Sequence, residues 1–314
     1  MRAHFLSLVA ISTCLLISIS QAEDCNPDDK KVLFQIKKSL GDPALLASWE
    51  NTTDCCTKWD GIRCLRKTHR IISLTVFNDD VLPVSGIQPS GKFPPAVGDL
   101  PYLRELYFHN LSQVTGPIPQ ELAKLRRLRF LRLDLLNLTG PIPPIFGQLK
   151  RLYFINLANN KLSGSIPSSL GELPGNFGAL SIILSNNQLT GMILTSFSNN
   201  LNLTGIDLSG NKLEGDASML FGSNKIVGSI VLSRNQLEFN LSLVVLPDDF
   251  IYLDISHNKI YGSIPPQMGD IGIHYFNVSY NRLCGEIPVG LQSFDTSNYV
   301  HNKCLCGAPL PACK

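Results

Sequence analysis

The middle of the chain repeats one short pattern of apolar and polar positions. In its clearest copy, Ile155 and Leu157 flank one polar residue, Asn160 follows, and an Ile-Pro pair ends the pattern. The asparagine recurs at intervals of 27, 24, 24, 23 and 23 residues, at Asn160, Asn187, Asn211, Asn235, Asn258 and Asn281. About nine repeats result when looser copies are included, around Leu74, Leu106 and Leu131.

Each part of the pattern predicts one part of a coil. The apolar-polar-apolar alternation predicts a short strand whose apolar side chains face inward. The asparagine amide can bond backbone groups of neighbouring coils, and the glycine and proline bend the chain. Because one coil cannot bury its own apolar face, the coils must stack. We therefore predict an α/β leucine-rich-repeat solenoid, with a parallel β-sheet on its concave face and short helices or 3-10 turns on its convex face.

The start of the chain predicts secretion. Residues 1–22 combine a short basic start, an apolar stretch and small residues at a cleavage position, as a secretory signal peptide does. No later stretch reaches the roughly 18 apolar residues that a transmembrane helix needs. The formal net charge is only +2, which argues against a nucleic-acid partner, since such proteins carry a strong basic excess. We expect a secreted chain with no membrane segment.

Both ends of the solenoid need a cap, because an open terminal coil would expose the core. Apolar residues at helical spacing predict an amphipathic helix over 29–40, with Trp49 and Trp59 packed beneath it. The predicted boundaries are an N-terminal cap at 23–64, repeats at 65–283 and a C-terminal cap at 284–314.

The cysteines predict disulfides in both caps. Cys14 leaves with the signal peptide, and the remaining eight lie in two groups of four near the two ends. Nine strands at about 4.8 Å separate the groups by roughly 40 Å, whereas a disulfide requires Cα atoms within about 7 Å. Each group must therefore pair internally, and adjacent cysteines are poor partners. We expect the pairs Cys25–Cys55, Cys56–Cys64, Cys284–Cys304 and Cys306–Cys313.

The sequence contains no pattern of a catalytic or metal site. It lacks the G-x-S-x-G, P-loop, H-E-x-x-H and EF-hand patterns, and its histidines are scattered. The C-C and C-x-C spacings differ from the paired cysteines of zinc sites. We expect a binding protein rather than an enzyme, with no cofactor and no metal.

Several motifs resemble one family of plant proteins. The element G-x-I-P is similar to plant extracellular leucine-rich repeats and occurs at 116–119, 140–143, 164–167 and 262–265. More specific stretches resemble plant polygalacturonase-inhibiting proteins: CNPDDK (25–30), QIKK (35–38), TDCC (53–56), LEGDAS (213–218), NVSYNRLCG (277–285) and NKCLCGAPLP (302–311). The resemblance covers essentially the whole mature chain. It implies a secreted cell-wall defence protein of the apoplast that binds and inhibits fungal endopolygalacturonases through its concave face.

Two features depart from that family. Its members typically carry ten repeats, whereas this chain has about nine. The 27-residue step from Asn160 to Asn187 contains residues 172–178, which look like the end of one repeat joined to the end of the next. A missing coil near 171–180 would shift every later strand by one position. The concave face also carries mixed charge, with Asp134, Asp207 and Asp254 against Arg104, Arg129 and Arg132.

Outward strand positions carry aromatic and charged residues, and exposed Tyr and Arg are typical interface anchors. From the residues we predict a partner-binding group formed by Tyr107, Arg132, Asp134, Tyr153, Asn156, Asp207, Tyr252, Asp254 and His257. The family resemblance adds two strand-flanking positions, Ser181 and Gly228. Polygalacturonate from pectin is a second candidate partner, since a basic cluster could hold a polyuronide at Arg104, Arg129, Arg132, Lys150 and Arg151.

Six N-x-S/T sequons are candidate glycosylation sites, at Asn51, Asn110, Asn137, Asn202, Asn240 and Asn277. Two other functions remain open on the same scaffold. Repeated Asn, Ser and Thr side chains could match an ice lattice, as in an antifreeze protein that inhibits ice recrystallisation. The chain could also be a non-inhibitory binding partner of a receptor or peptide. Uneven early repeats and exposed Tyr, Arg and Asp favour the inhibitor, because ice-binding faces avoid bulky charges.

Overall fold

The computed structural model describes residues 25–78, 86–175 and 179–314. The expected signal peptide at 1–22 lies outside these residues and stays a prediction. Helix α1 spans Pro27–Ser39, and the short helix α2 spans Ser168–Gly171. Short 3-10 helices occupy Ala44–Leu46, Pro95–Asp99, Gln120–Lys124, Pro144–Gln148, Thr195–Phe197, Ser218–Leu220, Leu241–Leu243, Pro266–Gly269, Val289–Leu291 and Thr296–Asn298.

The strands of the described residues are β1 (Ile62–Leu65), β2 (Arg70–Phe77), β3 (Ser90–Lys92), β4 (Glu105–His109), β5 (Gln113–Gly116), β6 (Phe130–Asp134), β7 (Asn137–Pro141), β8 (Phe154–Asn156), β9 (Lys161–Gly164), β10 (Leu180–Ile183), β11 (Gln188–Met192), β12 (Leu203–Asp207), β13 (Lys212–Gly215), β14 (Ser229–Val231), β15 (Gln236–Leu237), β16 (Tyr252–Asp254), β17 (Tyr261–Gly262), β18 (Tyr275–Asn277), β19 (Arg282–Glu286) and β20 (Cys304–Cys306).

Two long sheets follow the chain from coil to coil. The concave sheet has the order β1-β2-β4-β6-β8-β10-β12-β14-β16-β18, in which β1 is antiparallel and the other strands are parallel. A second sheet joins β15-β13-β11-β9-β7-β5-β3, and a third joins β17-β19-β20. Short helical turns complete the coils on the convex side. The predicted leucine-rich-repeat solenoid is confirmed.

Stacking buries the apolar residues of successive strands in one core. The inward residues Leu131, Ile155, Ile182, Ile206 and Ile230 are at most 2% exposed. Each of them lies beside its counterpart in the next coil. No single coil could achieve this burial alone, which is the physical reason for the repeat.

The repeated asparagines bond neighbouring coils together. Nδ2 of Asn211 donates to the carbonyl oxygen of Leu184 in the preceding coil at 3.1 Å and to that of Leu208 at 3.0 Å. Its Oδ1 accepts from the backbone nitrogen of Leu189 at 3.0 Å. The same pattern occurs at Asn160, Asn187, Asn235, Asn258, Asn281 and Asn302. These amides satisfy backbone groups that the turns would otherwise leave unpaired.

The N-terminal cap is tied to the first parallel strand by a buried ion pair. Asp29 of α1 is 1% exposed, and its carboxylate accepts from Nη2 and Nε of Arg70 at 2.7 and 3.0 Å. Trp49 and Trp59 stack with ring centroids 5.4 Å apart, and Trp59 packs edge-on against Phe34 of α1 at 5.1 Å. The two tryptophans therefore lie beneath α1, as the sequence predicts.

Disulfides hold both caps. In the C-terminal cap, β20 pairs with β19 and the side chain of Tyr299 is fully buried. All four expected disulfides are present, at Cys25–Cys55, Cys56–Cys64, Cys284–Cys304 and Cys306–Cys313.

The 27-residue step does not interrupt the concave sheet. Ser181 and Ile182 of β10 pair directly with Phe154 and Ile155 of β8. Residues 176–178 lie outside the described part of the chain. The step is therefore spanned by a single coil, and β10 lies immediately beside β8.

Candidate functional site

The register of the concave sheet arranges its outward side chains in columns. The first column runs through Ser73, Glu105, Phe130, Phe154, Ser181, Gly205, Ser229, Tyr252 and Tyr275. The second column runs through Thr75, Tyr107, Arg132, Asn156, Ile183, Asp207, Val231, Asp254 and Asn277. Because side chains alternate along a strand, both columns face the concave side.

All ten candidate residues lie on or beside these columns. Five occupy the second column, at Tyr107, Arg132, Asn156, Asp207 and Asp254, and two occupy the first, at Ser181 and Tyr252. Tyr153 directly precedes β8, Asp134 ends β6, and His257 lies beyond the end of β16 with a positive φ of 54°. Their role in binding a partner stays a prediction.

The N-terminal aromatic patch consists of Tyr107, Phe130, Tyr153 and Phe154. The ring of Phe130 lies 4.6 Å from that of Tyr153, 5.9 Å from that of Phe154 and 6.4 Å from that of Tyr107. Burial raises the pKa of the Tyr107 hydroxyl, and the nearby carboxylate of Glu105 raises it further. Tyr107 therefore remains a neutral hydrogen-bonding anchor at physiological pH.

Asp134 is not the open carboxylate that an outward position suggests. Its side chain is only 7% exposed, because Arg132 and His109 cover it. Nε and Nη2 of Arg132 lie 2.7 and 3.1 Å from its two oxygens, and Nδ1 of His109 lies 2.9 Å from Oδ1. Hydrogen bonding to Asp134 raises the pKa of Arg132 further above its usual value.

The C-terminal aromatic patch consists of Tyr252, Tyr275, His257, Tyr280 and His301. The rings of Tyr252 and Tyr275 stack at 4.3 Å, and the ring of Tyr280 stacks on His257 at 4.0 Å and on His301 at 4.2 Å. Burial, and then the neighbouring Tyr275, raises the pKa of Tyr252, whereas burial and Arg234 lower the pKa of His257. Sequence analysis missed Tyr275, Tyr280 and His301. The signal was available, since His257 and Tyr280 are 23 residues apart, one coil length.

Two candidate aspartates have a structural role as well. Oδ1 of Asp207 accepts from the backbone nitrogen and the hydroxyl of Ser209, at 3.0 and 2.6 Å. Asp254 makes the same contacts with Ser256, at 3.0 and 2.7 Å. Within the described part of the chain, the second oxygen of each carboxylate bonds no residue. Each aspartate therefore closes a turn with one oxygen and leaves the other free of hydrogen bonds to the described residues.

The surface between the two aromatic patches has low relief. Ser181, Gly205 and Ser229 succeed one another in the first column. A Cβ added at Gly205 would approach no atom closer than 3.9 Å. Gly228, which precedes β14, is equally open, with no atom closer than 3.8 Å. A protruding segment of a partner could therefore reach the backbone of these strands.

The basic cluster is divided. Arg104 and Arg129 directly precede β4 and β6, and Lys150 and Arg151 are exposed in the next coil. Arg132 differs from these four residues, because its guanidinium is hydrogen-bonded to Asp134. Two further arginines extend the cluster, since Arg127 and Arg70 lie over the ring of Tyr102 at 4.1 and 4.8 Å.

The sequons differ in accessibility. Asn51 is exposed, whereas the other five asparagines are half-buried. Nδ2 of Asn202 donates to the carbonyl oxygen of Pro174 at 2.6 Å, and Oδ1 of Asn277 accepts from the backbone nitrogen and hydroxyl of Ser279. Glycosylation of all six stays a prediction.

Among the described residues, the cysteines Cys25, Cys55 and Cys56 lie close enough together for metal ligands, but their sulfurs form disulfides and cannot act as thiolates. The same residues include no helix long and apolar enough to cross a membrane.

Comparison with known proteins places this geometry in a family. Family models described as "Leucine rich repeat N-terminal domain" and "Leucine Rich Repeat" match residues 26–65 and residues 151–173 and 249–271, respectively. The chain is 51% identical to a polygalacturonase inhibitor of Pyrus communis, covering 99% of this chain and 98% of that protein. It is 47% identical to a polygalacturonase inhibitor of Vitis vinifera, covering 98% and 96%.

A solved structure described as a plant ice-binding protein is similar as well, at 42% identity and a TM-score of 0.76, covering 93% of this chain and 99% of that chain. The alignment with the Pyrus protein spans 333 positions, at least 19 more than the 314 residues here, a difference near one coil. Polygalacturonase inhibitors are binding proteins, not enzymes. The near-complete coverage of the inhibitors shows that the chain belongs to the polygalacturonase-inhibitor family of leucine-rich-repeat proteins.

Proposed function

We propose that this chain is a secreted plant cell-wall defence protein that binds and inhibits fungal endopolygalacturonases through its concave face. The supporting observation is the concave surface itself, which presents an aromatic patch at each end and a flat, open stretch between them. Tyrosine is among the residue types that contribute most of the affinity at protein interfaces. Disulfides in both caps are compatible with an oxidising extracellular compartment such as the apoplast.

Charge supports an enzyme partner of this type. A polygalacturonase cleaves a polyanion, so its cleft must attract negative charge. The free carboxylate oxygens of Asp207 and Asp254 face such a cleft from the second column. Docking here would inhibit by covering the cleft, a mechanism that needs no catalytic group on the inhibitor.

Polygalacturonate itself is a second proposed ligand. Arg104, Arg129, Lys150 and Arg151 line the edge where the strands begin, and a planar guanidinium suits a carboxylate. This edge adjoins the concave face, so inhibitor and polyuronide could contact the same enzyme together.

The first experiment is a titration of the purified, disulfide-bonded protein into several fungal polygalacturonases, with reducing-sugar release from polygalacturonate as readout. We expect saturating inhibition of at least one enzyme. Ser229→Arg places a long cation in the middle of the concave face and should weaken inhibition at least about tenfold. Thr190→Arg, on the second sheet, is the matched control and should leave inhibition unchanged. No inhibition across a broad panel, or equal effects of the two variants, would reject the proposal.

One observation favours ice binding as the alternative. On the second sheet, the residues before successive coil glycines are Ser90, Thr115, Thr139, Ser163 and Thr190, all outside the buried core. The strands pair with a stagger of two residues, with Ser90 beside Gln113 and Thr139 beside Lys161, so these hydroxyls form an oblique row across the sheet. Glu214, exposed in the next coil, interrupts the row. If the chain binds ice by this sheet, Thr190→Arg should abolish inhibition of ice recrystallisation and Ser229→Arg should not.

A further inference from the structure

The cluster of His109, Arg132 and Asp134 contains two contacts that exclude each other. Nδ1 of His109 lies 2.9 Å from Oδ1 of Asp134, an acceptor, and also 2.9 Å from Nη2 of Arg132, a donor. A ring nitrogen that carries a hydrogen can donate to the carboxylate but then opposes the N–H of arginine. A nitrogen without a hydrogen can accept from arginine but then opposes the carboxylate.

Protonation of the imidazole decides between these contacts. When the ring is neutral and its hydrogen is on Nε2, Nδ1 accepts a hydrogen bond from Nη2 of Arg132. The guanidinium of Arg132 also donates to both oxygens of Asp134. In the charged ring, both nitrogens carry hydrogens, so Nδ1 must donate to Asp134. Arg132 then loses one acceptor and faces a second positive charge at short range. Asp134 has little room to respond, because its side chain is 7% exposed, whereas the side chain of Arg132 is 37% exposed.

We propose that His109 is a positioning residue for Arg132: a proton on its Nδ1 makes the ring compete for Oδ1 of Asp134 and repel the guanidinium, so that a partner in the concave groove can draw the Arg132 side chain away from Asp134. At neutral pH the guanidinium lies flat on Asp134 and His109. Under acidic conditions it is free to meet a carboxylate or carbonyl oxygen on the docked protein. This inference rests on the proposed function only for the identity of that protein.

The described neighbours of His109 on the flanking strands include one ion pair and two phenols. Among the described residues of the flanking strands, Arg63 of β1 is paired with Glu105 of β4. The pKa of Tyr107 is raised by burial, so its hydroxyl stays neutral. β2 presents no titratable side chain at the positions beside His109, and the second phenol is that of Tyr153, which directly precedes β8. Histidine is the side chain whose charge ordinarily changes between about pH 5 and pH 8.

The first test uses the chain alone, so its result does not depend on any enzyme partner. Nitrogen-15 NMR of the histidine rings reports which nitrogen carries a hydrogen. At about pH 7.5 we expect Nδ1 of His109 to lack a hydrogen, and at about pH 5 to carry one. The Arg132 side-chain signals should change environment over the same range. A hydrogen on Nδ1 at both pH values, or an Arg132 signal that does not follow the ring, would overturn the proposal.

The second test measures inhibition of a responsive polygalacturonase at the same two pH values. His109→Gln cannot acquire a charge and should inhibit like the wild type near neutral pH but about tenfold more weakly at the acidic pH. His69→Gln, at an exposed position between β1 and β2, is the matched control and should keep the wild-type ratio between the two pH values. Parallel pH profiles for the wild type and His109→Gln would overturn the gating of binding. If the chain inhibits no enzyme, the proposed inhibitory function is rejected. The NMR measurement still tests whether protonation of His109 moves Arg132.

Discussion

The two halves of the concave face differ in how their outward charged side chains are paired. In the N-terminal half, charged outward side chains neutralise one another, Arg63 with Glu105 across strands and Arg132 with Asp134 along β6. In the C-terminal half, Asp207 and Asp254 close local turns with neutral serines, and the second oxygen of each carboxylate bonds none of the described residues. Equal numbers of charges in a column therefore do not mean equal charge available for docking.

The halves also differ in how their coils are joined. From Asn160 onward, an asparagine amide links each coil to the one before it. The two preceding coils place Leu111 and Leu136 at this position, and both are buried apolar residues. The C-terminal half is thus fixed by a regular ladder of amides, whereas packing alone fills the same position in those two coils.

Replacing a ladder asparagine with the residue of the irregular half should have the largest effect. Asn211→Leu removes four hydrogen bonds. The buried backbone nitrogen of Leu189 loses its side-chain acceptor, whereas the carbonyl oxygen of Leu184 keeps the bond from Asn187. We expect the free energy of unfolding to fall by about 3 kcal/mol. Denaturant-induced unfolding measures this. Asn199→Ala, at an exposed loop position, should change it by less than about 0.5 kcal/mol, and equal losses in both variants would refute the ladder's role.

Next in size is the contrast between an aromatic anchor of the C-terminal patch and an arginine that a carboxylate already holds. Tyr252→Ala removes one half of the stacked pair with Tyr275 and should raise the inhibition constant about 30-fold. Arg132→Ala should raise it only about threefold near neutral pH, because Asp134 already occupies the guanidinium. Tyr261→Ala, an exposed tyrosine on β17, is the control and should have no effect. A larger increase of the inhibition constant for Arg132→Ala than for Tyr252→Ala would show that the arginine, not the tyrosine, is the stronger anchor.

A smaller effect should follow when the free oxygen of a C-terminal carboxylate loses its charge. Asp207→Asn keeps an oxygen for the turn with Ser209 but no longer attracts a basic enzyme. We expect an association rate about threefold lower at low salt, with little change at high salt. Surface plasmon resonance at two salt concentrations measures this. An unchanged association rate would indicate that the Asp207 charge does not steer binding.

The smallest effect concerns pH and stability at the C-terminal patch. Folding lowers the pKa of His257, mainly through burial, so the unfolded chain binds a proton more readily. The stability that this contributes is complete above the unfolded pKa of about 6.5 and is lost as the pH falls through the folded value. The free energy of unfolding should therefore decrease slightly more on acidification in the wild type than in His257→Gln. The opposite order would contradict the burial effect.

The fold could be predicted because each coil repeats the same pattern of apolar residues and asparagine. Inward positions such as Ile155 and inward asparagines such as Asn160 recur at nearly constant spacing, and stacking is the arrangement that buries them all. The disulfide groups followed from the same picture, since the length of the solenoid separates the two sets of cysteines. Period-2 alternation also placed Tyr107, Arg132, Asn156, Asp207 and Asp254 in one column of the concave face.

The contacts that the sequence pattern did not predict join residues of different coils. The cover over Asp134 requires His109, 25 residues earlier, to lie in register beside it. The stacking of Tyr252 on Tyr275 and of Tyr280 on His301 likewise depends on pairs that meet only after the sheet forms. Alternation within one strand shows which side a residue faces, but not which neighbour in the next coil occupies its charge or its ring.

The direct pairing of β8 with β10 has a consequence for how such proteins diversify. Because the sheet closes without a gap after the 27-residue step, the distance between the two aromatic patches can change only in whole strand spacings of about 4.8 Å. Gain or loss of one coil would thus lengthen or shorten the span between two docking ends while leaving the chemistry of each end intact. A shorter inhibitor of this kind would differ from a longer relative in the distance between its two aromatic patches, even where the residues that form the patches are the same.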